Sequence, residues 1–117
     1  MSKYKNKYAF YKGKRFDSKK EANRFLELSL LEQAKQISNL KCQVAYQLKV
    51  DQVIIGKYIC DFEYEEKGKT VTEDVKSAFT KKLPLYRWKK KHFQAQFGRE
   101  VRETWIELNT SVLVTKI

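Results

Sequence analysis

The sequence has 117 residues, of which 42% are hydrophobic and 14% aromatic, a composition typical of a folded chain rather than a disordered one. Its 25 Lys and Arg against 14 Asp and Glu give a formal net charge of +11 at pH 7. No segment approaches the roughly 20 apolar residues of a membrane-spanning helix, and no apolar run at the N-terminus has signal-peptide length, so we expect no membrane partner. Cys42 and Cys60 lack metal-ligand spacing and favour free thiols in a reducing, cytoplasmic compartment.

We expect one domain over residues 1–117, made of a basic N-terminal segment (1–16), a core (17–108) and a C-terminal strand or tail (109–117). The charge is uneven. Residues 1–20 and residues 80–102 each hold eight Lys and Arg against one acid, whereas residues 51–74 hold seven acids and three Lys. A lysine-rich surface can simply keep a protein soluble; the alternative is a polyanion partner bound by the two basic segments.

In chain order, the first predicted element is a small hairpin, YAFYKGKRF, that turns near Gly13. A helix follows, because Ser18 is a good N-cap and Glu21, three residues on, completes a capping box. Helical spacing places four apolar side chains on its buried face: Ala22, Phe25, Leu28 and Leu31. Apolar residues then alternate with polar ones and predict a strand over residues 39–50.

Two further strands, KYICDFEYEE and KTVTEDVKS, are joined by a tight turn at Lys67-Gly68. On the first of them, alternation puts Tyr58, Cys60, Phe62 and Tyr64 on one face. In LPLYRWKKKHFQAQFG, Pro84 suits the first turn of a second helix and Gly98 its C-terminal stop. EVRETWIEL predicts another strand, and SVLVTKI is a candidate for one more. This order predicts a mixed α/β (α+β) fold with a central mixed sheet flanked by helices.

The hairpin turn fixes a register in which Asp61 lies directly opposite Asp74, with Lys76 diagonal to Asp61 on the same face. Two like charges about 4 Å apart repel by ~1 kcal/mol in water and ~4 kcal/mol at a protein-like dielectric. A divalent cation removes the repulsion, because hard cations such as Mg²⁺ prefer carboxylate oxygens. A metal on two carboxylates beside a lysine suits phosphodiester hydrolysis. The alternative is a solvated strand face with Lys76 at its edge.

Asp61, followed on the next strand by Asp74-Val75-Lys76, resembles the signature of the PD-(D/E)XK nuclease superfamily. The longer pattern of FDSKKEANRFLEL, YICDFEY and TEDVKSAFTKK leading into YRWKKKHF is similar to a small phage-encoded family related to Holliday junction resolvases, over about residues 12–106. That family's first motif often has proline before the Asp, where this chain has Cys60. Glu73 points to the other face by strand alternation, so Asp74 is interpreted as the motif acid.

The resemblance implies a restriction-endonuclease-like fold and Mg²⁺-dependent cleavage of DNA, with Mn²⁺ expected to substitute. It implies a third catalytic and metal-binding acid from the first helix, which is Glu21 here; closing the capping box is the alternative role of that side chain. It also implies branched DNA as the substrate, a role in phage DNA recombination, replication or packaging, and the bacterial host cell as the location.

The second predicted helix has a wide apolar arc formed by Leu85, Tyr86, Trp88, His92, Phe93 and Phe97. Lys89 falls inside this arc, so we expect its ammonium group either to reach the active-site phosphate or to extend to the edge of the helix. The other predicted DNA-binding residues fall into four groups. Arg87, Lys90 and Lys91 lie on this helix outside the arc, and Lys81 and Lys82 come just before it. Gln43 lies on the strand before the acid motif, and Lys12, Lys14 and Arg15 lie in the N-terminal segment.

The sequence therefore predicts a Mg²⁺-dependent DNA endonuclease in which Asp61 and Asp74 bind metal and Lys76 stabilises charge on the phosphate. Symmetric cleavage of a four-way junction needs two active sites, so a homodimer is expected. A non-catalytic DNA-binding module on the same fold is the first alternative. An RNA-binding protein with exposed aromatic side chains is the second, and it predicts tighter binding to single strands.

Overall fold

The computed structural model describes residues 9–11, 14–16, 18–77, 80–106 and 113–116. Within these residues the elements follow the order β1 (Ala9–Tyr11), β2 (Lys14–Phe16), α1 (Lys19–Gln33), β3 (Ser38–Val50), β4 (Val53–Glu66), β5 (Lys69–Val75), α2 (Pro84–Phe97), β6 (Val101–Ile106) and β7 (Leu113–Lys116). A short 3₁₀ helix, Thr80–Lys82, precedes α2. The predicted order of elements is confirmed, although β4 begins earlier than the sequence pattern indicated.

One five-stranded sheet carries the fold. Its strands lie in the order β3-β4-β5-β6-β7, while β1 and β2 form a separate antiparallel hairpin. β5 and β6 run parallel, and the other neighbours in the sheet are antiparallel. The mixed sheet with its two helices confirms the predicted mixed α/β class. Neither helix in the described residues is long and apolar enough to cross a membrane.

α1 begins where the sequence predicts. Ser18 is its N-cap, and the Ser18 hydroxyl accepts a hydrogen bond from a backbone N–H of the first turn at 3.2 Å. Phe25 and Leu28 are buried, but Leu31 is 37% exposed, so its predicted burial is wrong. The buried stripe extends to Arg24 instead, because this arginine reaches a buried acid in β5.

α2 lies between the two residues that predicted its ends. Pro84 is in its first turn, and Gly98 is its C-cap in the left-handed conformation, with φ 70°. Phe93 is the buried residue of this helix, whereas Leu85 and Trp88 are 65% and 46% exposed, which corrects their predicted burial. Tyr86, Phe93 and Phe97 pack on the cluster at the sheet, while Leu85 and Trp88 leave part of the wide apolar arc facing outward.

The two helices cover opposite faces of the sheet, as the alternation along β5 shows. Glu73 points toward α1, where Arg24 binds it, whereas Thr72 on the other face contacts Arg99, just after α2. Each face has its own buried cluster. The cluster at α1 contains Phe16, Phe25, Leu28, Ile37, Phe62, Tyr64 and Val75, and the cluster at α2 contains Leu48, Tyr58, Cys60, Phe93 and Val101.

β3 and β4 cross from one cluster to the other at a break in their ladder. The pairing skips Gln43 and Asp61, and Gln43 has a left-handed φ of 55°. The four apolar residues of β4 from Tyr58 to Tyr64 were predicted to share one face. All four are buried, but the break divides them between the two clusters. Asp61 thus lies where β4 changes the face that it buries.

Candidate active site

The β4–β5 hairpin has the predicted register, with Tyr64 paired to Val71 and Phe62 to Glu73. The ladder stops there, just before the position at which the two motif acids face each other. Asp61 in β4 is 8% exposed, and Asp74 in β5 is fully buried. Both acids therefore lie inside the molecule, which excludes the solvated-face alternative for this pair.

Carboxylate–backbone hydrogen bonds replace the missing ladder between the diverging strands. Oδ1 of Asp74 accepts a hydrogen bond from the backbone N–H of Asp61 at 2.9 Å, and Oδ2 of Asp61 accepts one from the backbone N–H of Val75 at 2.8 Å. Oδ2 of Asp74 also accepts a hydrogen bond from the hydroxyl of Tyr58. Each carboxylate is thus oriented by the opposite strand.

Burial raises the pKa of both carboxyl groups. For Asp61, the negative charges of Asp74 and Glu21 raise the pKa further, and Lys76 lowers it. For Asp74, Lys76 and the hydrogen bond from Tyr58 lower the pKa, but burial outweighs them. Two buried acids side by side disfavour the doubly ionised pair in the protein alone. A bound cation relieves this electrostatic cost.

Lys76 directly follows β5 and is fixed at both ends. Its backbone N–H donates to the carbonyl of Thr104 in β6 at 2.8 Å, and its Nζ lies 4.7 Å from the centre of the Tyr86 ring in α2. Its ammonium group lowers the pKa of both Asp61 and Asp74, so it lies within electrostatic range of the pair. The structure therefore brings the three predicted motif residues together.

Glu21 and Gln43 approach Asp61 from α1 and β3. Nε2 of Gln43 donates to Oε2 of Glu21 at 3.4 Å, and Glu21 is close enough to raise the pKa of Asp61. The backbone N–H of Glu21 donates to the hydroxyl of Ser18. The backbone of Glu21 thus serves the helix cap, while its carboxylate lies beside Gln43.

Glu103, Tyr86 and Tyr58 contact the site residues but were not predicted. Glu103 lies opposite Asp74 in the parallel register of β5 and β6 and is 9% exposed. Its Oε2 accepts a hydrogen bond from the Tyr86 hydroxyl at 2.7 Å, and its Oε1 lies 3.2 Å from Nζ of Lys90. In EVRETWIEL, strand alternation places Glu103 on the same face as Val101 and Trp105, so no local pattern singles out this acid, and only the strand order brings it beside Asp74.

The predicted DNA-binding residues of α2 differ in exposure. Lys89 is half-buried and lines a cavity next to Tyr86. Lys90 is also half-buried, because its ammonium group pairs with Glu103, whereas the helical pattern placed it outside the packed arc. Arg87 and Lys91 are exposed and remain available for phosphates.

The remaining predicted DNA-binding residues lie in other elements. Lys81 is half-buried and Lys82 is exposed in the 3₁₀ helix before α2. In the N-terminal hairpin, Arg15 is exposed and Lys14 lies in β2, whereas Lys12 lies outside the described residues. These basic residues are therefore distributed over two separate parts of the chain.

The donor set suits a hard divalent cation but is small. Within the described parts of the chain, no group of three or more His, Cys, Asp and Glu side chains is placed to hold a metal ion. Mg²⁺ commonly binds through one or two carboxylates and completes its shell with water and substrate phosphate. Asp61 and Asp74 fit that pattern as two ligands. Glu21 is not grouped with them as a third.

A comparison with family models identifies the domain. A family described as a protein of unknown function, DUF1064, matches residues 1–112. The chain belongs to this family. The match spans the acid pair, both helices and every strand from β1 to β6, so the candidate site lies within the DUF1064 domain. No curated protein and no solved structure matches the chain.

Proposed function

We propose that this DUF1064 protein is a metal-dependent DNA endonuclease of the PD-(D/E)XK type. The observation that carries the proposal is the buried carboxylate pair, Asp61 and Asp74, held by reciprocal hydrogen bonds across diverging strands with Lys76 nearby. Burying two repelling acids works against stability, and a bound cation is a direct reason to keep them. The resemblance of the sequence to the superfamily's signature involves the same three residues.

The proposed roles follow from the chemistry of each side chain. Asp61 and Asp74 would hold Mg²⁺ or Mn²⁺, which would supply Lewis-acid activation of the phosphate and of water. The ammonium group of Lys76 stabilises negative charge that develops on the phosphate. Tyr58 keeps one oxygen of Asp74 in place, and Glu21 adds negative potential at Asp61.

A polyanionic substrate is supported by charge. The net charge is +11, and exposed Lys82, Arg87 and Lys91 lie on or just before α2, the helix that carries Tyr86 at the site. Binding through phosphates should weaken steeply as salt rises, because each contact releases counterions. The proposal that branched DNA is the preferred substrate rests on the resemblance of the sequence to junction resolvases.

A homodimer is part of this proposal, because two symmetric cuts in a four-way junction need two active sites related by a two-fold axis. Light scattering at micromolar concentration should then give twice the mass of one chain. A monomer that nevertheless cuts junctions symmetrically contradicts the dimer while leaving the nuclease intact.

The deciding experiment incubates the protein with junction, flap and linear duplex DNA in Mg²⁺, in Mn²⁺ and in EDTA. We expect cleavage only with a divalent cation. Asp61→Asn should abolish cleavage while DNA binding in a gel-shift assay persists. Asp51→Asn is the matched control, because Asp51 is exposed in the turn between β3 and β4 and its loss should leave cleavage unchanged.

The alternatives give different results in the same assay. A non-catalytic DNA-binding module shifts DNA in the gel and cuts nothing in either metal. An RNA-binding protein binds single-stranded RNA more tightly than any of the DNA substrates. Cleavage by Asp61→Asn at the wild-type rate would place the catalytic centre elsewhere and defeat the proposal.

A further inference from the structure

A cavity of about 460 Å³ opens between β4 and the start of α2, beside the acid pair. Five of its lining residues are aromatic or aliphatic: Tyr58, Ile59, Leu83, Leu85 and Tyr86. Three lysines also line it: Lys57, Lys76 and Lys89. Its size lies within the range of small-molecule sites, which are about 300–1,000 Å³ and combine apolar walls with a few polar groups.

The two tyrosine rings in this cavity are fixed by the acids of the candidate active site. The hydroxyl of Tyr58 donates to Asp74, and the hydroxyl of Tyr86 donates to Glu103 at 2.7 Å. Tyr58 is only 3% exposed and belongs to the buried cluster at α2, so it adds little surface to the cavity, whereas half-buried Tyr86 presents part of its ring. Nζ of Lys76 lies near one of these rings, 4.7 Å from the centre of Tyr86.

The aliphatic residues of the cavity are not part of either buried cluster. Ile59 is 44% exposed, Leu83 38% and Leu85 65%, so they leave apolar surface in contact with solvent at the entrance to a polar site. The first turn of α2 also has no side-chain cap within the described residues. Uncapped N–H groups at a helix start attract anions such as phosphate.

We propose that this cavity holds one unstacked nucleobase of a DNA substrate, next to the phosphate that approaches Asp61 and Asp74. The inference rests on the proposed function for the identity of the polymer, but it concerns binding and not cleavage. A planar base matches aromatic and aliphatic walls, Lys57 matches a flanking phosphate, and Lys76 and Lys89 would meet the phosphate that approaches the acids. Every base has a flat apolar face, so the cavity selects an unstacked nucleotide rather than a sequence.

The consequence is a preference for DNA that contains an unpaired or distorted nucleotide. Taking a base out of an intact duplex costs free energy, and this cost is least where the base is already unpaired. The cavity would therefore favour junctions, flaps and bulges over intact duplex without any contact that reads the base sequence.

The test measures binding by fluorescence anisotropy in EDTA, so that no cleavage is needed. Two duplexes of equal length and charge each carry one unpaired nucleotide at the same position. In one duplex this nucleotide has its base, and in the other it is an abasic analogue. The wild-type protein should bind the base-containing duplex roughly five- to a hundredfold more tightly. Equal affinities for the two duplexes overturn the proposal.

Two leucine variants assign the preference to the cavity. Leu85→Ser should lose most of the base-dependent difference. Leu30→Ser is the matched control, because Leu30 is 55% exposed on α1 and away from the cavity lining. Both changes are at exposed positions, and circular dichroism checks that both variants are folded. A base-dependent difference that persists in Leu85→Ser, or disappears equally in Leu30→Ser, overturns the assignment.

The cavity and the nuclease proposal fail separately. Base-dependent binding that needs Leu85, without cleavage in Mg²⁺ or Mn²⁺, supports the cavity and defeats the nuclease. If the protein cleaves DNA with metal but binds both duplexes equally, the proposal of base binding in the cavity fails and the proposed nuclease function is supported.

Discussion

Glu73 and Asp74 are consecutive, fully buried acids of β5, and they have opposite electrostatic surroundings. Glu73 accepts hydrogen bonds from Nε and Nη2 of Arg24 at 2.6 and 2.9 Å and from the hydroxyl of Tyr64 at 2.6 Å. Asp74 faces Asp61, a second acid, and no ion pair in the described part of the chain includes either of these two. Burial alone therefore does not distinguish the two acids; the charged partner does.

The difference separates a structural acid from a functional one. Burial lowers the pKa of Arg24, but the hydrogen bonds and charge of Glu73 raise it more, so the guanidinium is held in its charged form. On the other face, burial raises the pKa of Asp74. A fold selected for stability alone would compensate both acids in the same way. Asp74, the buried acid without an ion pair among the described residues, marks the face of the sheet where a ligand is expected.

The largest effect should come from breaking the buried ion pair between Arg24 and Glu73. Glu73→Gln removes the buried carboxylate partner of Arg24, which keeps Glu27 at 3.3 Å, and should lower the free energy of unfolding by about 3–5 kcal/mol. Urea denaturation measures this change, and Glu100→Gln, at an exposed position, is the control with less than about 0.5 kcal/mol. Adding Arg24→Met to Glu73→Gln should recover part of the loss. A loss below about 1 kcal/mol would mean that the ion pair is not needed for stability.

Removing the charge of Asp74 should change the stability in the opposite direction. Asp74→Asn keeps an oxygen for the backbone N–H of Asp61 and gains an amide that can donate to the Tyr58 oxygen, while one of two repelling charges is removed. In EDTA this variant should be as stable as wild type or more stable, by about 1 kcal/mol. Mg²⁺ or Mn²⁺ should then raise the wild-type melting temperature by mass action and the variant's much less.

Melts in EDTA and in metal also show how this prediction could fail. A clear loss of stability for Asp74→Asn in EDTA would mean that the Asp74 charge has a favourable partner, such as Lys76, and that the two faces of β5 do not differ as proposed. Identical metal effects in the two proteins would mean that the cation binds elsewhere.

The raised pKa values of Asp61 and Asp74 should make the stability of the protein depend on pH. The folded protein raises the pKa of Asp61 and Asp74 above their ordinary value of 3.8, so between that value and the raised ones it binds more protons than the unfolded chain. Stability from these two groups therefore falls as pH rises through this window, and the full cost remains above it. In EDTA, the stability difference between Asp74→Asn and wild type should be near zero below pH 3.8 and largest near neutral pH. A difference that grows on acidification contradicts the raised pKa values.

Local signals predicted the hairpin and the ends of α2, because each depends on residues close in sequence. The Lys67-Gly68 turn sets the register that brings Asp61 opposite Asp74. The pairs that couple distant segments were not predictable in this way. The position of Glu103 depends on β6 joining β5 in parallel after an intervening helix, and no local pattern specifies that strand order.

Two further features were not predicted from the sequence: the buried Arg24–Glu73 pair and the change of buried face along β3 and β4. The Arg24–Glu73 pair was missed because a helical wheel treats arginine as polar and outward, although a buried partner reverses that preference. The change of face in β3 and β4 was missed because Gln43 has a left-handed φ of 55° without the glycine that usually signals one. Strict alternation was therefore extended across a break that it could not detect.

The smallest effects should separate three successive lysines of α2. Lys91 is exposed, so Lys91→Ala should weaken DNA binding and reduce the slope of log affinity against log salt by about one. Nζ of Lys90 lies 3.2 Å from Glu103, with 28% of its side chain exposed, so Lys90→Ala should change the slope less and lower the free energy of unfolding by about 0.2–1 kcal/mol. Lys89 lines the cavity, and Lys89→Ala should mainly lower the turnover of bound DNA.

Anisotropy across a salt series, urea denaturation and single-turnover cleavage measure the three effects. Equal slopes for all three variants would show that the ion pair to Glu103 does not withhold Lys90 from phosphate, and the inward position of Lys89 would then carry no functional difference.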